Sequence, residues 1–233
     1  MGQTVYSGDV LQHRIKPESD LAEVLEHAMT CQQKDSGRGK PEAAYITAKL
    51  FLPRDVSVEE AGRSVGEALE VCKERHQGIK QFIIALQDLT FSDILEDGSP
   101  CEVSGEKISQ VWKLFTARGA ESGIVEEYGI SELSTERLTD LLARIDKEGD
   151  SPVPTIDHIN ATDCCALPPG LIALSKERNI KLLAHHDPED LLPEDRLKRI
   201  YPDAQKWQWI LRLTSIVKDR QVLAGNEYYV NLL

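Results

Sequence analysis

Short apolar segments rich in strand-forming residues alternate along this chain with amphipathic helical segments, and this alternation constrains the fold most strongly. Residues 82–86 read Phe-Ile-Ile-Ala-Leu, a continuous apolar run typical of a parallel strand buried on both faces. Residues 44–52 are rich in β-formers and stop at Pro53. Six such strand-then-helix units in about 190 residues predict a parallel sheet, and they favour a barrel over an open doubly wound sheet.

Capping residues set the expected limits of the helices. Ser57 with Glu60 three positions later predicts a capping box at a helix start. The next helix is expected from about Ser104, with Gly119 placed to cap its end.

The last third of the chain continues the alternation. Residues 155–161 and 180–184 predict strands, and Asp187 before Pro188 predicts the N-cap and first turn of a helix. An extended stretch is expected at about 221–230. The last long helix is expected just before it, marked by the apolar residues Trp207, Ile210, Leu211 and Leu213.

Residues 1–43 give the weakest pattern. They contain one expected strand near Val5, one expected helix through Leu21 and Leu25, and a loop at 36–41 that we expect to be mobile. The 233 residues are 41% apolar, enough to bury the core of one large domain. We therefore expect a single domain over 1–233, an α/β barrel of the TIM (β/α)8 type whose N-terminal units are shortened or irregular.

Charge and cysteine usage exclude several function classes. The net charge of −12 argues against a nucleic-acid binder, because such binding neutralises phosphates with Lys and Arg. No run approaches the roughly 18 apolar residues of a membrane span, and the first residues lack an apolar signal core. Five scattered cysteines suit reduced thiols better than a disulfide framework. We expect a cytoplasmic protein that does not contact membranes.

Two segments carry an uncommon combination of residues. Residues 160–170 read N-A-T-D-C-C-A-L-P-P-G, and residues 179–188 read N-I-K-L-L-A-H-H-D-P. Together they resemble the regulatory (modifier) subunits of glutamate–cysteine ligase. That resemblance implies a non-catalytic protein that forms a heterodimer with the ligase's catalytic subunit and activates it in glutathione biosynthesis.

A broader resemblance, from about residue 44 to 213, is to the aldo-keto reductases, the barrel family to which these regulatory subunits are related. Residues 46–49 resemble the strand that carries the reductases' catalytic lysine, and residues 128–131 resemble a conserved strand end of that family. Residues 153–160 resemble the strand that holds a cofactor-binding glutamine.

Most of the residues that reductase chemistry needs are altered. Lys49 is kept, but Ala85 stands in place of the catalytic histidine, and no catalytic tyrosine is recognisable before residue 44. Glu132 and His158 replace cofactor-binding amides, and His185 lies near the place of the tyrosine that stacks on nicotinamide. The resemblance therefore implies a barrel with no catalytic residue, a vestigial Lys49 and no bound cofactor.

Two other functions stay open, and so do purely structural explanations of Cys164-Cys165 and of Lys49. An active NADPH-dependent aldo-keto reductase with a divergent site is the alternative from another class, and a scaffold barrel with a different partner is a third. Cys164 and Cys165 form a redox switch, a contact surface, or simply two small apolar residues at a strand end. Lys49 is a relic or a charge partner. Adjacent strand residues point to opposite faces, so neither Cys164-Cys165 nor His185-His186 suits a metal.

The loops that follow two neighbouring strands are the predicted partner-binding surface. In a barrel such loops meet at one face, so segments about 20 residues apart in sequence are expected side by side. Rigid apolar residues beside hydrogen-bonding ones suit an interface with a polar rim, although the same prolines also suit plain helix starts. The candidates are Asp163, Cys164, Cys165, Leu167, Pro168, Pro169, His185, His186, Asp187 and Pro188.

Overall fold

The structure, a computed structural model, describes residues 2–12, 20–31, 44–95, 97–160, 167–217 and 222–233. The predicted loop at 36–41 and the candidates Asp163, Cys164 and Cys165 lie outside these residues. The strands are β1 (Gln3–Asp9), β2 (Ala44–Leu52), β3 (Ile79–Leu86), β4 (Val125–Ser131), β5 (Ile156–Asn160), β6 (Lys181–His185), β7 (Trp207–Val217) and β8 (Val222–Leu232). The helices are α1 (Leu21–Cys31), α2 (Val58–Arg75), α3 (Gly105–Ser122), α4 (Thr135–Glu148), α5 (Pro169–Glu177) and α6 (Glu194–Ile200), and a short 3-10 helix covers Val10–Gln12.

The strands form one eight-stranded sheet in the order β1-β8-β7-β2-β3-β4-β5-β6. From β2 to β6 all neighbours are parallel, and helices α2 to α5 connect them in turn. The α/β class and this parallel repeat are therefore confirmed. The flank differs, because β7 runs antiparallel to both β2 and β8, and β8 runs antiparallel to β1. These three strands do not follow the (β/α)8 pattern, in which every neighbour is parallel.

The helix predicted around Trp207 to Leu213 is wrong, because these residues form β7. Trp209, Leu211 and Leu213 are buried on one face at every second residue, which is the period of a strand, and Ile210 is buried on the other face. Two tryptophans and alternate polar residues fit a pleated surface. The strand is fixed by pairing on both sides, with β2 and with β8.

Helices cover both faces of the sheet. On one face, α2 to α5 pack over residues such as Leu50 and Leu52 and form the larger apolar cluster. On the other face, α1 and α6 pack over Phe51, Ala85 and Ile210. Since alternate residues of a strand point to opposite faces, Lys49 shares this second face with Phe51. No helix among the described residues is long and apolar enough to cross a membrane.

The local helix signals are confirmed, with one correction. The Ser57 side chain accepts from the Glu60 backbone N–H while the Glu60 side chain accepts from the Ser57 N–H, which completes the capping box. Ser104 caps α3. Gly119 does not end that helix, because α3 runs on to Ser122 and Gly123 takes the left-handed cap with φ 69°. Gly119 lies where α3 passes Tyr128, and a Cβ there would sit 2.4 Å from the ring.

Candidate functional site

An open cleft of about 440 Å³ lies at the carboxyl ends of the parallel strands. This is the edge of a parallel sheet where ligand sites usually form, because the loops that follow the strands meet there. The loop at 87–95 supplies much of one wall, and residues 187–191 supply part of another. The lining residues are Lys49, Phe51, Ala85, Leu86, Gln87, Asp88, Leu89, Thr90, Phe91, Ser92, Ile94, Leu95, Ser131, Glu132, Asn160, His185, Asp187, Pro188, Glu189, Leu191 and Trp207.

Two cations share one buried carboxylate on the floor of the cleft. Lys49 on β2 is 2% exposed, and its Nζ lies 2.8 Å from Oδ2 of Asp187. Arg212 on β7 donates to both carboxylate oxygens of Asp187. Both cations also lie over the ring of Phe51. Nζ of Lys49 is 5.1 Å and Cζ of Arg212 is 5.5 Å from the centre of that ring.

The pKa values of this group follow from burial and pairing. Burial lowers the pKa of Lys49 to about 8, and the attraction of Asp187 offsets part of that effect. Burial alone would raise the pKa of Asp187, but Arg212 and Lys49 outweigh it and hold that pKa far below its usual value. Asp187 is therefore ionised at neutral pH.

This role corrects the prediction that Asp187 is a helix N-cap. The helix that follows, α6, begins only at Glu194, and Pro193 precedes it. In the sequence, Asp187 before Pro188 matches the pattern of a helix start. In the structure its carboxylate instead points inward and pairs with Lys49 and Arg212, which come from distant strands. Of the two readings of Lys49, the structure shows the charge partner.

A second polar group joins the ends of β4, β5 and β6. The Asp187 N–H donates to Nδ1 of His185 at 3.1 Å, and Nε2 of that ring lies 2.6 Å from a Glu132 oxygen. The Glu132 carboxylate also accepts the backbone N–H of Asn160 at 2.7 Å and that of Phe91 at 3.1 Å. Glu132 thus fixes the loop at 87–95 against the end of β5.

The backbone of Glu132 adopts a conformation that non-glycine residues rarely take. Its φ is 67°, and its N–H donates to the carbonyl of His158 at 3.0 Å. A left-handed residue of this kind costs on the order of 1–3 kcal/mol and persists where surrounding contacts fix it. The three hydrogen bonds to the carboxylate provide those contacts, which marks this strand end as a specialised position.

Burial shifts the pKa values of the buried Asp157 and the half-buried His158 next to this network. Burial, followed by the positive charge of Lys49, lowers the pKa of His158 to about 2. Its ring lies edge-on to that of His185, with centres 4.5 Å apart. Burial raises the pKa of Asp157 well above its usual value, and its Oδ1 accepts the Leu133 N–H at 3.3 Å. Burial thus disfavours the charged form of both groups.

The described lining of the cleft differs from a reductase site in one required group. A reductase site needs a hydroxyl that protonates the carbonyl oxygen, and no tyrosine is among the described residues that line the cleft. Lys49 is the one lysine or arginine in that lining, and Asp187 already neutralises it. Among the described residues, no group of three or more His, Cys, Asp or Glu side chains could hold a metal ion.

The predicted partner-binding residues fall into two sets. The end of β5 does lie beside the end of β6, because Asn160 pairs with His185, so the expected neighbourhood of the two loops is confirmed. His185 and Asp187 are buried in the polar network described above. The described candidates nearer to solvent are the partly buried Leu167 and the exposed Pro168, Pro169, His186 and Pro188. Their role in an interface stays a prediction.

Sequence reasoning missed Arg212 and the loop at 87–95. A lone arginine within the apolar run of residues 207–217 is the signal that marked Arg212, since a charge at such a place usually has a buried partner. The loop had a weaker signal. It contains Asp88 and Asp93, whose φ values of 65° and 58° belong to a conformation that Asp tolerates better than most residues.

Comparison with known proteins finds relatives of this chain. No protein-family model matches the chain. The rat glutamate–cysteine ligase regulatory subunit is 28% identical over 217 residues, which cover 90% of this chain and 73% of the rat protein. The human protein of the same name is 28% identical over 220 residues, with the same coverage of 90% and 73%. A putative regulatory subunit of this ligase from Schizosaccharomyces pombe is 25% identical over 145 residues, 59% of this chain and 48% of the yeast protein.

The similarity runs through nearly all of the chain rather than through one motif. It therefore confirms the resemblance first drawn from residues 160–170 and 179–188. The chain is a homologue of the glutamate–cysteine ligase regulatory subunits.

Proposed function

We propose that this chain is the non-catalytic regulatory subunit of a glutamate–cysteine ligase, and that it binds the catalytic subunit and activates it. One observation carries the proposal, namely the similarity over 90% of the chain to proteins with that name. Activation by a bound subunit is a coupling free energy between an interface and a distant active site, typically about 1–3 kcal/mol.

The cleft in this proposal is a degenerate reductase site on a barrel-like sheet. Three features support this. Ala85 lies in the lining where the resemblance to aldo-keto reductases implies a histidine. Lys49 is buried and neutralised by Asp187, and the Glu132 carboxylate faces the same space. A dinucleotide's phosphates would meet acids there and no unpaired cation among the described lining residues, so NADPH does not fit.

The subunit is further proposed to act as a heterodimer in the cytoplasm. Reduced thiols support this compartment, because Cys72 and Cys101 are free in the described part of the chain. Burial raises the pKa of Cys72 to about 12, which makes its thiol inert.

A co-purification experiment tests the proposed function. The tagged chain is mixed with the untagged ligase catalytic subunit of the same source, and the complex is sized and quantified. A one-to-one complex that survives gel filtration is the expected result. If the catalytic subunit elutes alone at micromolar concentrations of both proteins, the proposal is wrong.

A cofactor titration separates this proposal from an active reductase. Trp207 lines the cleft, so NADPH bound there would quench its fluorescence. We expect no saturable quenching up to about 100 μM NADPH after correction with free tryptophan. We also expect no NADPH oxidation with simple aldehydes. An active reductase would bind NADPH within this concentration range, because it must use the cofactor at its concentration in cells. Saturable quenching with aldehyde-dependent oxidation would support the divergent reductase instead.

A further inference from the structure

We infer that the cleft receives one large apolar side chain of the catalytic subunit, carried on a segment with a basic residue nearby. The inference rests on the proposed function, because it names the contact through which that partner is held. It is carried by the walls, floor and rim of the cleft.

The walls of the cleft are apolar and end in an exposed hydrophobic residue. Phe51, Leu89, Phe91 and Trp207 line the interior. Ile94 lies at the rim and is 56% exposed, the highest value among the large hydrophobic residues in the described part of the chain. The other exposed ones, Leu11, Met29, Leu223 and Leu233, do not line the cleft.

The backbone at Ile94 is held in place, so its side chain is presented in a fixed position. The hydroxyl groups of Thr90 and Ser92 both donate to the Ile94 carbonyl at 3.0 Å, and Ile94 forms a bridge with Pro100. Arg137 on α4 donates to the carbonyl of Cys101 at 3.1 Å and so holds the chain next to Pro100, the bridge partner of Ile94. A preorganised apolar rim loses little entropy when a partner covers it.

The floor of the cleft selects a neutral, apolar group. Lys49 and Arg212 together oppose Asp187, and the Glu132 carboxylate takes three hydrogen bonds, from His185, Asn160 and Phe91. A charged ligand group would have to break one of these pairs to find a partner, which is costly in a buried site. An aromatic or aliphatic side chain needs no such partner and gains from leaving water.

The rim beside the cleft is acidic, which sets the expected charge of the partner. Asp88 lines the cleft and pairs with Arg54, Asp190 lies between the lining residues Glu189 and Leu191, and Asp195 acts electrostatically on Asp190, so three carboxylates face one arginine. Burial raises the pKa of Asp190 and the charges of Asp88 and Asp195 add to that rise, while the Leu192 N–H and the charge of Arg54 offset part of it, so the three carboxylates repel one another. A lysine or arginine beside the inserted side chain would relieve that repulsion. The neighbouring Pro188 is exposed and belongs to the predicted partner-binding surface, so the two surfaces are continuous.

Matched substitutions test the inference by affinity for the purified catalytic subunit. Ile94→Gln removes the apolar rim, and Ser92→Trp fills the mouth, both from exposed positions outside the buried core. Ser92→Ala loses the hydroxyl that donates to the Ile94 carbonyl without filling the mouth, so it separates the two effects and should bind like the unchanged chain. Met29→Gln is the control, because Met29 is 52% exposed on α1 and does not line the cleft. A further variant, Asp195→Asn, tests the charge. Thermal melting of each variant checks that it is folded.

We expect Ile94→Gln and Ser92→Trp to weaken binding at least about tenfold, Met29→Gln to bind like the unchanged chain, and Asp195→Asn to slow association at low salt only. If the unchanged chain binds and the two cleft variants bind equally well, the inference is overturned and the proposed function stands. If Asp195→Asn associates at the unchanged rate, the basic neighbour is refuted. If the unchanged chain itself does not bind, the proposed function fails.

Discussion

Asp187 is the residue on which the cleft floor depends, because among the described residues it is the one carboxylate that pairs with both Lys49 and Arg212. Lys49 has 2% of its side chain exposed and Asp187 has 9%, so water screens these charges little. Removing the anion would leave two buried cations facing each other, whereas removing one cation leaves a bidentate pair with Arg212 intact. The two substitutions are therefore not equivalent.

We predict that Asp187→Asn destabilises the fold by about 3–5 kcal/mol, the usual cost of breaking a buried ion pair from one side. Lys49→Met is expected to cost clearly less, because methionine fills the space and Asp187 keeps Arg212. Urea unfolding at pH 7 measures both values. Equal costs for the two variants would show that Asp187 does not serve both cations.

Lys49 also predicts a dependence of stability on pH. Its pKa is about 8 in the folded protein against 10.5 for the free side chain. Between these pH values the unfolded chain holds one more proton than the folded chain, so stability from this residue rises with pH across that window. The difference in unfolding free energy between the unchanged chain and Lys49→Met should grow from pH 8 to 10.5, by on the order of 3 kcal/mol. A difference that stays flat would place the Lys49 pKa near its ordinary value.

At the scale of elements, Glu132 ties the loop at 87–95 to the sheet. We predict that Glu132→Gln increases amide hydrogen exchange at Phe91 and Asn160 by about tenfold, because one amide oxygen replaces a charged carboxylate that accepts both N–H groups. Glu136→Gln, at an exposed position in the first turn of α4, is the matched control. Unchanged exchange at both amides would mean that other contacts hold the loop.

Two glycines inside helices should respond to alanine in opposite ways. Gly66 on α2 has nothing within 4 Å of an added Cβ, so Gly66→Ala should stabilise the protein by about 0.5–1 kcal/mol through helix propensity. A Cβ at Gly119 on α3 would lie 2.4 Å from the Tyr128 ring, which packs edge-on against Phe115. Gly119→Ala should therefore destabilise by about 1–3 kcal/mol. Thermal melting of the two variants side by side decides; stabilisation by both would contradict this packing.

Elements with a local signal could be predicted from the sequence, and those fixed by distant partners could not. The capping box at Ser57 and the buried strand at 82–86 depend on neighbours within a few residues, and both are present. The prediction that Gly119 is a helix cap is wrong because this glycine is required by its contact with Tyr128 on the next strand, and the local sequence does not show that contact. The apolar residues of β7 match both a helical and a strand spacing, so the sequence alone predicts a helix there. The pairing with β2 decides for the strand.

At the scale of the whole molecule, the sequence pointed to the family more readily than to the site. The motif residues at 160–170 and 179–188 are close in sequence, so their combination was readable there. The pair of Lys49 and Asp187 joins residues 138 positions apart, and only the folded sheet brings them together. The antiparallel flank of β7, β8 and β1 also depends on distant residues, because β1 and β8 pair with each other and come from opposite ends of the sequence.

This homologue of regulatory subunits has a cleft in which Lys49 is already paired with Asp187. Such a protein is expected to change the properties of a partner rather than to turn over a substrate of its own. Lys49→Met should accordingly activate the partner nearly as well as the unchanged chain, because the charge on the cleft floor does not enter the contact. Loss of activation by a folded Lys49→Met protein would show that this charge takes part.

The ligase rate of the catalytic subunit, measured against glutamate concentration at increasing amounts of this chain, tests the central claim most directly. The account predicts a saturable rise in the ligase rate at limiting glutamate, complete near one chain per catalytic subunit. A coupling of about 1–3 kcal/mol corresponds to a change of roughly 5- to 150-fold. Rate curves that superimpose at every amount of folded chain would contradict the account.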